Sequence, residues 1–172
     1  MTRNAVPPWS VPVAIHDVPE SGRRFDLVAG ESARAAVAKS IGLRALPRLE
    51  AGFDVTRHGQ DGLRIAGHVS ATVGQTCVVT LEPVDNGVEE FIDLVFAPQS
   101  GPEPGRIAAD DAPEPLIGGT VDLGAIATEF LILGIDPYPR KPDVEFTAPT
   151  TGEDSGHPFA ALAALKTKSN ER

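Results

Sequence analysis

Cys77 is the only thiol in this chain, and His16, His58, His68 and His157 are its only imidazoles. A cysteine nucleophile needs a basic neighbour and an accessible sulfur. Cys77 instead continues the series Ile65, Gly67, Val69, Ala71, Val73 and Gln75, with Ser70, Thr72, Gly74 and Thr76 on the alternate positions. That period places it on the apolar side of a half-buried strand, where it reads as a core thiol. One cysteine without clustered histidines cannot supply four zinc ligands, so no metal site is expected. Asp54 falls opposite His68 in the expected hairpin, where a carboxylate could orient an imidazole base. The pair also reads as a polar contact on the wet face of a sheet. The sequence has no Gly-rich phosphate loop between strand and helix, no GxSxG elbow and no HExxH helix. We therefore expect no enzyme and no cofactor. A small-molecule or catalytic alternative would require a deep pocket holding at least two of Asp54, His68 and Cys77.

The other chemistry on offer is phosphate binding. Arg34, Lys39, Arg44 and Arg48 follow one another with no acid between them. Arg57 and Arg64 extend the series if the helix and hairpin that carry them lie side by side. Guanidinium forks match phosphate oxygens. The bland alternative is a solvated helix face. Aromatic residues make up only 5% of the chain, which leaves little for base stacking and argues against sequence-specific single-strand reading.

The elements that must position these residues follow from period and turn chemistry. Val11–Val18 reads as a first strand and Phe25–Val28 as a short extended piece. Glu31–Leu43 reads as a helix with an apolar stripe of Ala33, Ala36, Val37, Ser40 and Ile41, its outer side carrying Arg34 and Lys39. Leu46–His58 and Leu63–Val79 form a hairpin across Gln60-Asp61-Gly62, with Gly62 at positive φ. The expected register sets Val55 against Gly67 and Phe53 against Val69, and pairs Asp54 with His68 and His58 with Arg64. Asp85-Asn86-Gly87 signals a turn before a strand over Val88–Ala97. Thr120 or Asp122 caps a helix with the stripe Leu123, Ile126, Ala127, Phe130, Leu131 and Gly134, ended by Asp136-Pro137-Tyr138-Pro139.

These pieces imply an α+β fold. We expect a curved antiparallel sheet of about five strands, partly closed into a barrel, with two packed helices. Residues 1–10 read as a flexible N-terminus and 11–141 as one domain with a disordered acidic insert at 99–115. Residues 142–157 read as a linker, and 158–172 as a short C-terminal helix and tail. In that helix Phe159, Leu162, Leu165 and Lys166 are placed to dock on a partner.

Net charge is −9 and unevenly spread. Residues 1–78 hold nine Lys/Arg against seven Asp/Glu, residues 79–157 three against sixteen, and residues 158–172 three against one. The split confines any nucleic-acid contact to the first part and gives no reason to expect DNA. No apolar run approaches the ~20 residues that span a bilayer. The N-terminus lacks the apolar core of a secretory signal, so a cytoplasmic protein without membrane contact is expected.

Cys77-Val78-Val79-Thr80-Leu81-Glu82-Pro83-Val84, followed by the strand ending Leu94-Val95-Phe96-Ala97-Pro98, resembles the central signature of the YceD family, named for large ribosomal RNA subunit accumulation. The acidic insert, the helix opening Val121-Asp122-Leu123, the stretch reaching Pro139 and Arg140, and Pro158–Leu162 with a closing Leu165-Lys166 fit the same order. The resemblance covers residues 40–166. Many members carry Cys-x-x-Cys in the central motif and another cysteine after the helix. Here Thr80 takes the second position and no cysteine follows Arg140, a departure similar to alphaproteobacterial members. It leaves no metal or redox role for those cysteines. The resemblance implies a factor for synthesis, processing or stability of large-subunit (23S) ribosomal RNA. Its partner would be that RNA, a large-subunit ribosomal protein or an assembly factor. A protein-interaction adaptor without RNA contact is the alternative.

Overall fold

The computed structural model describes residues 7–98 and 113–146. The chain divides into two units, residues 1–142 and 143–172. The second is described only at 143–146, where Asp143 has φ +60. The expected C-terminal helix and most of the acidic insert lie outside the described residues.

The first unit runs β1 (Pro12–Ala14), a 3-10 turn (Ile15–Asp17), β2 (Arg23–Val28), α1 (Glu31–Ile41), β3 (Ala45–His58), β4 (Gly62–Thr76), β5 (Pro83–Ala97), β6 (Glu114–Pro115), a second 3-10 turn (Ile117–Gly119), β7 (Thr120–Asp122) and α2 (Leu123–Gly134). Five strands form one sheet in the order β2-β3-β4-β5-β6, and β1 pairs with β7 as a separate ribbon. The α+β expectation holds with two corrections. The sheet is mixed, because the two-residue β6 pairs parallel to β5. Among the described residues it is also open, with β2 and β6 at its two edges and no pairing between them to close a barrel. Residues 114–115, expected in the disordered insert, form β6.

Parity along β3 and β4 is as the pattern requires: Phe53, Val55, Leu63, Ile65, Val69, Ala71 and Val73 are fully buried on one face. Each of these other than Ala71 contributes about 1.5–3 kcal/mol of burial. The register differs by two residues, with Val55 opposite Ile65 and Phe53 opposite Gly67. A two-residue slip keeps every side chain on its own face, so hydrophobic pattern cannot choose between the two. The turn decides it: His58 pairs with Gly62, and Gly59 rather than Gly62 takes the positive φ, +64. Gly67 has no room for a side chain, because a Cβ there would run into the Gly52 carbonyl oxygen and then the Phe53 main chain and ring.

The Asp85-Asn86-Gly87 turn is not formed; those residues lie within β5. Asn86 donates to Gln75 Oε1 across the ladder at 3.1 Å, which satisfies its amide in an extended chain. The reversal occurs upstream at Cys77–Glu82, closed by Leu81 N–H to Cys77 O (2.9 Å) and Cys77 N–H to Glu82 O (2.8 Å). Leu81 takes φ +61 there, a region costly for a branched side chain, while 76% exposed.

Both helices share one core with the inner sheet face. In α1, Val37 and Ala38 are buried while Ala36 and Ser40 are exposed, so the expected stripe is turned. In a run of alanines and one serine, apolar contrast is too weak to set the face. Gly42 ends α1 at φ +73, as a left-handed C-terminal stop. In α2 the expected stripe holds, with Leu123, Ile126, Ala127 and Leu131 buried. Asp122 caps it, accepting from Gly124 N–H (3.0 Å) and Ala125 N–H (3.1 Å). The same carboxylate accepts from Val11 N–H (2.8 Å) and Ser10 Oγ (2.5 Å). It thereby ties β1 to the helix start. The first strand is accordingly short, limited to the three residues that β7 can pair.

Candidate functional site

The expected basic cluster separates into three settings. Arg34 points toward the core side of α1, donating from Nη1 to Ala29 O at 2.7 Å, and Arg57 Nε donates to Val18 O at 2.8 Å. Both brace main chain. Arg48 and Arg64 lie on the outer face of the sheet. Arg48 contacts Glu50 (3.3 Å) and Ser70 Oγ (2.9 Å). Arg64 makes a two-pronged contact with Asp93 at 2.9 and 2.8 Å. That fork holds the Asp93 carboxyl below the usual range. Lys39 and Arg44 remain exposed. They share with Arg34 the rim of a groove of about 510 Å³ between α1 and the start of β3, lined also by Glu31, Leu43 and Pro47. Among the described residues neither Lys39 nor Arg44 has a carboxylate within ion-pair distance.

Asp54, His68 and Cys77 do not share a pocket. Asp54 is on the outer face, bound to Arg24 at 3.1 Å and opposite Ala66. His68 is opposite Gly52 on that same face. Cys77 is fully buried at the end of β4. The juxtaposition required by the small-molecule alternative is absent.

Cys77 nevertheless has surroundings that its parity did not reveal. Thr80 N–H (3.5 Å) and Lys141 N–H (3.4 Å) donate to its sulfur. The Thr80 side chain and these amides, Val79 included, bring the thiol down to about 6 against the opposing effect of burial. Val78 N–H to Pro139 O (2.9 Å) joins the Cys77–Glu82 turn to the segment after α2. Glu82 accepts from Lys141 Nζ at 2.7 Å, and that contact lowers its carboxyl. The family-motif residues therefore serve local construction: Pro139 is buried beside the turn, Leu81 and Glu82 form it, Pro83 opens β5, and Asp122 with Leu123 starts α2. Thr80, at the second cysteine position of the resembled pattern, sits against the sulfur as a donor. Among the described residues no three His, Cys, Asp or Glu side chains group to hold a metal ion.

A second groove of about 510 Å³ lies between α2 and the β5–β6 edge, lined by Leu94, Phe96, Ile117, Ala125, Ile126 and Phe130. The outer sheet face carries a feature the sequence reading passed over. Phe91 is 80% exposed, on the polar parity of β5 between Glu89 and Asp93. That aromatic among acids was the available signal.

This is an α+β domain with one sheet face covered by helices and, among the described residues, the other open, and its candidate contacts are surfaces. A family model described as large ribosomal RNA subunit accumulation protein YceD matches residues 65–166, more than half of the chain, and the chain belongs to that family. No curated protein and no solved structure matches it. Among the described residues no helix is long and apolar enough to cross a membrane.

Proposed function

We propose that the protein is a non-enzymatic cytoplasmic factor supporting synthesis, processing or stability of large-subunit ribosomal RNA, and that it touches RNA backbone through the α1 rim. The observation carrying this reading is the placement of Lys39 and Arg44, with Arg34 behind them, along one groove in a chain whose family is described by large ribosomal RNA subunit accumulation. Arg48 and Arg64, engaged by carboxylates on another face, are not part of this contact. Phosphate contacts of this kind give affinity that falls with salt.

A mobility-shift titration of the full chain with large-subunit RNA fragments at several salt concentrations tests the reading. Replacing Lys39 and Arg44 by Glu should weaken binding and flatten the salt slope by roughly 0.7 per lost contact on single strands. Absence of binding by the wild type, or an unchanged slope, would overturn the RNA contact. Sucrose-gradient analysis of a deletion strain tests the role itself, a selective loss of large subunits being expected. The adaptor reading is favoured by a different observation, the excess of carboxylates on the open sheet face.

A further inference from the structure

The inner face of the sheet is filled by α1, α2 and the β1–β7 ribbon, while the outer face of β2 to β5 carries no covering element among the described residues. Three arginines stand on it, Arg24, Arg48 and Arg64, against six carboxylates: Asp26, Glu50, Asp54, Asp85, Glu89 and Asp93. Each arginine is held by carboxylates of the same face: Arg24 by Asp26 and Asp54, Arg48 by Glu50, Arg64 by Asp93. Glu89 has no cation within ion-pair distance among the described residues. The surplus charge is negative.

Two adjacent cross-strand rows give this face its shape. One runs Val28–Glu50–Ser70–Glu89 and the next Asp26–Gly52–His68–Phe91. Val28 is 72% and Phe91 80% exposed, at opposite ends of these rows. Between them is a depression of about 320 Å³ lined by Gly52, His68, Ser70, Glu89 and the two ion pairs Arg24–Asp26 and Arg48–Glu50. Its floor is Gly52. A Cβ there would meet His68 Cε1 at 3.1 Å, Arg24 Nη2 at 3.2 Å and Asp26 Oδ1 at 3.4 Å. The missing side chain is what opens the hollow.

An RNA backbone brought to this surface meets net negative charge, whereas a cationic peptide meets its complement. An exposed aromatic beside a hollow is the kind of anchor that dominates protein contacts. We propose that the outer face of β2–β5 docks a lysine- and arginine-rich protein segment. One cationic side chain settles at the rim of the hollow against Glu89, the lining carboxylate that no arginine holds, and an apolar side chain packs on Phe91. This surface is separate from the α1 rim, so either contact can fail without the other.

The test is fluorescence anisotropy of the full chain with a labelled Lys/Arg/Leu peptide, in parallel with a labelled single-stranded RNA. Salt-sensitive peptide binding is expected. Phe91→Ala, Glu89→Lys and Gly52→Val should each weaken it by about tenfold, while the Lys39→Glu/Arg44→Glu variant binds peptide as the wild type does. If Gly52→Val disturbs folding, Phe91→Ala and Glu89→Lys decide the matter, since both replace exposed side chains. No peptide binding by the wild type, or equal binding by Phe91→Ala and Glu89→Lys, would overturn the proposal. So would RNA binding that depends on Phe91.

Discussion

Lys141 donates its backbone N–H to the sulfur of Cys77 across 64 positions of sequence, at 3.4 Å, and its ammonium to Glu82 at 2.7 Å. A single residue thus grips the Cys77–Glu82 turn by both main chain and side chain. With Val78 bonded to Pro139, the end of α2 is fastened to the β4–β5 connection.

The donors at the Cys77 sulfur, the Thr80 side chain first and then the Thr80 and Lys141 amides, make the thiol a titrating stabiliser. The folded Cys77 ionises at about 6, below the ordinary value near ~8.5. A depressed acid stabilises the fold above its unfolded pKa and loses that contribution as pH falls through its folded one. Urea midpoints of the wild type should therefore rise between about pH 6 and 8.5, and Cys77→Ala should flatten the rise. Thiolate absorbance should titrate near the same lower value, while alkylation stays slow because the sulfur is buried. A midpoint near the ordinary thiol value would contradict the donor arrangement.

Asp122 accepts four hydrogen bonds, from Ser10, Val11, Gly124 and Ala125. Asp122→Ala should destabilise the domain by about 2–3 kcal/mol, a lost cap plus the ties to β1. Ser10→Ala should cost less than half as much. Thermal unfolding of the two variants checks the ratio.

Two glycines in the same hairpin should respond in opposite ways. A Cβ at Gly67 drives into Gly52 O and the Phe53 ring, so Gly67→Ala should cost at least about 2 kcal/mol. At Gly52 the neighbours are the ends of His68 and Arg24, which can turn aside. Gly52→Ala should stay within about 0.5 kcal/mol of wild type. Chemical denaturation distinguishes them.

Leu81 holds φ +61 while largely in solvent. Leu81→Gly relieves the conformational penalty and forfeits little packing, so stability should rise by up to about 1 kcal/mol. A clear loss of stability would show that the exposed leucine has a packing role.

What the sequence made legible was local and periodic. Alternation from Ile65 to Cys77 marked the buried face of β4, and Asp122 marked the start of α2 through its capping chemistry. The two-residue register error in the hairpin had no signature, because both registers bury the same side chains. Asn86-Gly87 resembled a turn because its cross-strand amide partner, Gln75, is a property of the assembled sheet. Arg34 was assigned to the wrong side of α1 for want of apolar contrast among alanines. The donors around Cys77 come in part from Lys141, and no local pattern reports a neighbour so distant in sequence.

β4 lies in the middle of the sheet, with twelve residue pairs to β3 and fourteen to β5. The stretch matched by the family model begins at residue 65, three residues inside that strand. A fragment cut to those limits would sever β4, strip one flank of its ladder and leave Ile65, Val69 and Val73 without the Phe53 and Val55 face that shields them. It would also lack β1, the partner of β7. The cooperative unit therefore extends upstream of the recognised stretch to include β1. Deletion mapping in this chain should respect that longer boundary, since the shorter piece presents an unpaired strand to its neighbours in solution.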